Sequence, residues 1–272
     1  MTKTVLITGA SSGIGKATAI YFASRGWQVA ATMRSPQLEH DLNKIAGITL
    51  YQLDVTDEQA IHRTITKAIT DFGHIDALVN NAGYGTIGAF EASTAAEVQQ
   101  QFDVNDFGLM NVTRALLPHL RANGRGHIIN VGSMGGRLTF PLYSVYHATK
   151  WAVDGFSESL MYELSPLGLR VKLIEPGLIK TEFQGRSEFQ FKAKDLPAYD
   201  TYTASLLQQY HKASQSAPGP EIVAKAIFQA ATDSSSRLRY VAGNQARLLL
   251  TLKRLLPERW YFAATRRKLR QP

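Results

Sequence analysis

The chain of 272 residues contains no cysteine. That excludes disulfides, thiolate metal sites and a cysteine nucleophile, and makes a reducing cytoplasm the expected compartment. Long apolar runs are missing too: none reaches the length of about 18 residues that a spanning helix needs. Met1-Thr2-Lys3-Thr4 leads straight into a strand-like run with no signal-peptide core. The seven histidines show no metal-ligand spacing, and no serine sits in a nucleophile-elbow pattern. A soluble protein without a metal site is expected, neither metalloenzyme nor hydrolase. With 44% hydrophobic content and no linker or repeat, it should bury one large core.

Acids are nearly absent from one end. Residues 237–272 hold ten lysines and arginines against one acid, Glu258, so this tail carries +9 and the body −1 of the net +8. A near-neutral body offers no basic groove, so nucleic-acid binding is not expected. Residues 246–256 read as an apolar-rich helix, followed after Pro257 by Trp260-Tyr261-Phe262 and Arg266-Arg267-Lys268. Such a tail can rest on an anionic membrane. The alternative, which we prefer, packs its leucines on the domain or on a second subunit.

What the chain does have is alternation. Strand-like runs at Thr4 to Thr8, Gln28 to Thr32, Ile48 to Leu53, Ala77 to Asn80, His127 to Val131 and Leu169 to Ile174 are separated by helical periodicity, with a weaker run at Leu238 to Val241. Short apolar strands between helices imply an α/β fold with a doubly wound, Rossmann-type parallel sheet. The expected layout is one domain over residues 1–243, with a small helical lid at about 182–218, and the helical tail over 244–272.

Ligands of such sheets sit at the carboxyl ends of the strands. There the first strand runs into Gly9-Ala10-Ser11-Ser12-Gly13-Ile14-Gly15, glycines spaced G-x-x-x-G-x-G ahead of a helix from about Ile14 to Ser24. Glycines let backbone N–H groups approach a diphosphate favoured at the helix N-terminus. A purely structural turn is the alternative. No acid occurs between Gly15 and Glu39, and Met33-Arg34 end the second strand. An acid there would hold a ribose 2′-hydroxyl, whereas an arginine accommodates a 2′-phosphate. NADP(H) is the expected cofactor, unless Arg34 is an ordinary solvated side chain.

Tyr146 and Lys150 lie four apart on a helix and share a face. An ammonium about 5 Å from a phenol favours phenolate by roughly 3 kcal/mol, about two pKa units, at an effective dielectric near 20. Such a tyrosine can exchange a proton with an alcohol or carbonyl. His147 points off that face and reads as packing, and Tyr143 has no lysine at i+4. Asp54-Val55 follow the third strand, Asn80-Asn81-Ala82-Gly83 the fourth and Gly132-Ser133 the fifth, with Asn105 in the helix between the last two.

Gly9, Gly13, Gly15, Asn80 to Gly83, Asn105, Ser133, Tyr146, Lys150 and Pro176-Gly177, in this order over about residues 3 to 182, resemble the short-chain dehydrogenase/reductase family. Leu53-Asp54-Val55-Thr56-Asp57 and Ile174-Glu175-Pro176-Gly177 look most like its hydroxysteroid dehydrogenase-like branch. The resemblance implies a ketone or aldehyde interconverted with an alcohol. Tyr146 would be the acid or base, Lys150 would bind the nicotinamide ribose and lower the tyrosine's pKa, Ser133 would hold the reacting oxygen, and Asn105 would anchor a relay water. It further implies that Asp54 and Val55 meet the adenine, that Asn81, Ala82 and Gly83 wall the adenosine side, and that Pro176, Gly177, Ile179 and Thr181 clamp the nicotinamide. A homodimer or homotetramer is implied as well. Taken singly, Ser133 and Asp54 read as turn residues and Asn105 as a helix cap. Phe183, Phe189, Phe191, Tyr199, Tyr202 and Tyr210 crowd the lid region, either to bind a bulky apolar substrate or to pack the lid. A non-catalytic dinucleotide-binding regulatory or scaffold protein is the alternative, and the presence of all four site residues speaks against it.

Overall fold

The structure, a computed structural model, describes residues 2–181, 188–191 and 196–269. Seven parallel strands form the main sheet: β1 Thr4–Ile7, β2 Gln28–Met33, β3 Ile48–Gln52, β4 Ala77–Asn80, β6 Gly126–Val131, β7 Leu169–Pro176 and β9 Arg239–Ala242, in the order β3-β2-β1-β4-β6-β7-β9. Side chains alternate across this sheet, and both faces are covered. Val5 and Ile7 join Phe22 of α1 (Gly13–Ser24) and Val223 and Ile227 of α7 (Glu221–Thr232). Leu6, between them, faces Ile61, Leu116 and Val153 of α2 (Glu58–Phe72), α4 (Leu109–Ala122) and α5 (Ser144–Leu164). Burying each such side chain contributes about 1.5–3 kcal/mol, which is why these strands read as continuous apolar runs. β1 has β2 on one side and β4 on the other, so the chain reverses its direction of travel across the sheet at the carboxyl end of β1.

The helices are bounded by local chemistry. Asp57 caps α2 by accepting the Ala60 N–H at 2.9 Å, and Gly73, at φ 78°, ends it. α3 (Ala95–Phe102) starts at a reciprocal Thr94–Glu97 capping box. It runs through a π-helical turn, Asp103–Gly108, into α4. Asn105 therefore lies in a π turn, not in an ordinary helix, a widening often met at functional sites.

In the region expected to form a helical lid, the structure has a helix and adds a short strand. The described part of residues 182–218 contains α6 (Asp200–Gln215) and also a strand, β8 (Glu188–Gln190), paired in parallel with β5 (Gly85–Ile87). Strands of three residues carry too few alternations to be legible. Phe183 lies outside the described residues. The tail forms α8 (Asn244–Leu255) and α9 (Glu258–Leu269), broken at Pro257. Leu250 and Tyr261 pack on Leu138, with Met134, Phe140, Leu249 and Leu256 around them, so the tail's inner face joins the domain. Leu248, Leu255 and Trp260 stay exposed. No helix among the described residues is long and apolar enough to cross a membrane.

Candidate active site

A cleft of about 750 Å³ opens at the carboxyl ends of the strands. It gathers Gly9, Ser11, Ser12, Gly13, Ile14, Arg34, Asp54, Val55, Asn81, Ala82, Gly83, Ser133, Tyr146, Lys150, Pro176, Gly177, Ile179 and Thr181. Asn105 and Gly15 stand behind its wall.

The glycine turn is held by close approach. Gly9 has φ 67°, and a Cβ there would lie 2.8 Å from the Ala82 Cα; one on Gly15 would lie 2.2 Å from the Gly9 carbonyl oxygen. The Asn81 amide donates to the Thr8 and Gly9 carbonyls at 3.0 and 3.1 Å, and the Thr8 hydroxyl accepts the Asn81 and Ala82 N–H groups at 3.0 Å each. Asn81 thus clamps the turn as well as lining the cleft. No side chain caps α1 at Ser12, so its first-turn donors remain for an anion.

Met33 is buried at the end of β2, and the exposed Arg34 edges the cleft with no hydrogen-bond partner among the described residues. The first acid beyond the glycines, Glu39, is committed elsewhere: it meets Lys16 at 3.0 Å and accepts the Asp41 and Leu42 N–H groups. Asp54 accepts the Thr56 N–H and hydroxyl at 3.0 and 2.8 Å, so it forms the turn while also lining the cleft.

The remaining groups meet around α5. The Asn105 amide donates to the Tyr84 carbonyl and the Thr149 hydroxyl at 2.9 and 3.1 Å, and its oxygen accepts the Tyr84 N–H at 3.0 Å. This side chain bridges the segment after β4 to α5; it is no helix cap. Ser133, after β6, accepts the Gly135 N–H at 3.0 Å and hydrogen-bonds Tyr146. The Lys150 ammonium, 5.8 Å from the centre of the Tyr146 ring, donates to the Val131 carbonyl at 3.1 Å.

Burial dominates the electrostatics. It pushes the Tyr146 phenol above its ordinary value, against the Ser133 hydrogen bond, which lowers it. Lys150 is not among the described groups that act on the phenol. Burial also pulls Lys150 down to about 8, opposed by Asp106.

Spacing left the contacts of several further residues unassigned. His147 accepts the Phe140 N–H at 2.9 Å and, through Nδ1, bonds the Gly135 carbonyl at 2.9 Å, which fixes the segment after Ser133 to α5. Packing was its expected role, and this is a specific form of it. Tyr143 donates to Glu188 at 2.8 Å on the cleft wall. Thr149 holds Asn105, and Arg137 pairs with the buried Glu175 at 2.6 Å. Only Glu175, an acid inside an apolar strand, carried a signal in the sequence.

A glycine-rich strand-to-helix turn beside a serine, tyrosine and lysine at the switch point of a doubly wound sheet defines a dinucleotide-dependent class of protein. The short chain dehydrogenase family model matches residues 3–190, and the chain belongs to the short-chain dehydrogenase/reductase family. It is 38% identical to an uncharacterized oxidoreductase of Bacillus subtilis over 277 residues (98% of each chain), and 33% identical to retinol dehydrogenase 8 of Bos taurus over 273 residues (94% of this chain, 86% of that one). Similar solved structures include ElxO with NADP bound (27% identity, TM-score 0.73, covering 90% of this chain and all of that one). A Burkholderia phymatum family member in complex with NAD is also similar (25%, TM-score 0.80, 93% and 95%).

Proposed function

We propose that this oxidoreductase interconverts a ketone or aldehyde and an alcohol with NADP(H), and that Tyr146 is its general acid and base. The observation that carries the reading is the meeting of Ser133, Tyr146 and Lys150 in one cleft with the glycine turn. When bound, the cofactor supplies or accepts the hydride. Ser11, Ser12, Gly13, Ile14 and the open N-terminus of α1 hold the diphosphate. Arg34 takes the 2′-phosphate, Asp54 and Val55 the adenine, Asn81 to Gly83 the adenosine side, and Pro176, Gly177, Ile179 and Thr181 the nicotinamide. The NADP-bound and NAD-bound relatives leave the choice of cofactor to Arg34.

In reduction, the Tyr146 hydroxyl gives its proton to the carbonyl oxygen that Ser133 holds by hydrogen bond. Lys150 binds the ribose hydroxyls and stabilises the phenolate left behind. Asn105, tied to Tyr84 and Thr149, fixes the backbone near Lys150 where a relay water binds. The phenol, held above its ordinary value, is protonated at neutral pH, the form that reduction starts from.

Met134, Phe140 and Phe189 on the cleft wall, with Phe191 beside Phe189, support a bulky apolar substrate such as a retinoid, steroid or aryl ketone. The likeness to a retinol dehydrogenase supports the same reading. The segment about 182–218 serves as the lid of the domain over residues 1–243. The absence of cysteine fits a cytoplasmic enzyme. Exposed Phe107, Trp151 and Tyr162 on the π turn and α5 suit a homodimer or homotetramer. NADPH oxidation across a panel of ketones and aldehydes tests the function. Turnover of bulky apolar carbonyls that vanishes in Tyr146→Phe supports it; activity confined to small polar ketones removes the substrate class.

A further inference from the structure

Asp106 follows Asn105 in the π turn and is 2% exposed, yet neither of its carboxylate oxygens has a hydrogen-bond partner among the described residues. An unpaired buried carboxylate is costly unless it takes a proton or faces a cation. The turn packs on α3, α4, α5 and the loop holding Val55. Charged and titratable groups on these neighbours are Glu97 on α3, Arg114, His119 and Arg121 on α4, Tyr146, His147, Lys150, Asp154, Glu158, Tyr162 and Glu163 on α5, Asp54 and Asp57 on the loop and Tyr84 at Asn105, with Asp103 on the turn itself. Among them only Lys150 acts on the charge of Asp106, and Asp106 is the one charge that acts on Lys150.

The dependence is mutual, and among the described residues neither group has an ion-pair partner elsewhere. Lys150 is 8% exposed, and its one hydrogen bond among the described residues goes to the neutral Val131 carbonyl. We infer that Asp106 is the counter-charge that keeps Lys150 protonated, a positioning residue that acts on the reacting centre through Lys150. The inference rests on the role given to Lys150 above. Burial raises Asp106 to about 7 and lowers Lys150 to about 8, so the pair changes charge within the neutral range. Between those values both are ionised, the state in which Lys150 can stabilise a phenolate. Nothing in the chemistry requires an acid at 106 for folding, since a leucine or asparagine would fill a similar volume without a stranded charge.

The test is the pH profile of kcat/KM for carbonyl reduction in the wild type, Asp106→Asn and Asp106→Leu, with side-chain carboxyl ¹³C titrations of the wild type and Lys150→Met. Without the counter-charge Lys150 deprotonates at lower pH, so the alkaline limb should move down by about half a pH unit or more in both variants, with rates near pH 6.5 within about twofold. The Asp106 carboxyl resonance, told from those of the also raised Glu175 and Glu188 by its response to Lys150→Met, should titrate above about pH 6 and move higher still in that variant, a readout that needs no turnover. Coincident alkaline limbs, or no carboxyl titrating above about pH 6, overturns the inference. If a variant at 106 fails to fold, the carboxyl titration decides. Undiminished activity in Tyr146→Phe would instead strike the proposed function and leave the titration standing.

Discussion

The Tyr143 hydroxyl donates to Glu188 Oε1 at 2.8 Å, and its ring lies 6.0 Å from that of Tyr146. A strand reached late in the chain thereby places a carboxylate near the proposed acid. Glu188 raises the Tyr146 phenol, after the larger effect of burial. Glu188→Gln removes that charge, so the Tyr146 pKa falls. Oxidation of an alcohol needs the phenolate, and its acid limb in kcat/KM should therefore move to lower pH. An unmoved or rising limb shows that Glu188 does not act on Tyr146.

Arg34→Ala should raise the KM for NADPH by about 10- to 100-fold, the worth of a charge-assisted hydrogen bond of about 1.5–3 kcal/mol, and leave that for NADH nearly unchanged. Steady-state kinetics with both cofactors checks this. Wild-type kcat/KM favouring NADH would refute the 2′-phosphate role.

Gly15→Ala should cost about 1–3 kcal/mol or more, because its Cβ would meet the Gly9 carbonyl oxygen at 2.2 Å, against backbone that cannot swing aside. Gly155, where a Cβ meets nothing within 4 Å, is the control. Urea unfolding should show a clear loss for Gly15→Ala and a gain of up to about 1 kcal/mol for Gly155→Ala, which lies exposed inside α5.

Burial lowers the pKa of His147, with Lys253 acting in the same direction and the Gly135 carbonyl opposing. Its proton is therefore bound more readily in the unfolded chain. The stability that its neutral form contributes is complete above the ordinary histidine value near 6.5 and is lost as pH falls through and below it. The Tm should drop from pH 7 to 5, and His147→Gln should flatten the drop. His119 and His127 are lowered by burial as well, so a residual slope should remain.

The central strands of the main sheet were legible because both faces are buried and each reads as an apolar run, whereas the edge strand Arg239–Ala242, half-buried and opened by an arginine, gave only a weak signal. Gly9, Gly15 and the Tyr146–Lys150 spacing were legible because close approach and a shared helix face constrain residue type. The strand Glu188–Gln190 was not, since its partner Gly85–Ile87 is over 100 residues away and neither is long enough to alternate. Asp106 was hidden for another reason: whether an acid in a helical run is solvated or buried depends on packing by α5. Spacing reports the proximity of Lys150 to Tyr146 and says nothing of the desolvation that raises the phenol.

NADPH oxidation with a bulky apolar ketone, comparing the wild type with Tyr146→Phe at equal NADPH occupancy, tests the central claim most directly. Loss of the proton donor should lower kcat by about 10²-fold or more with NADPH binding retained. A Tyr146→Phe enzyme with wild-type kcat would contradict the assignment of Tyr146 as the general acid.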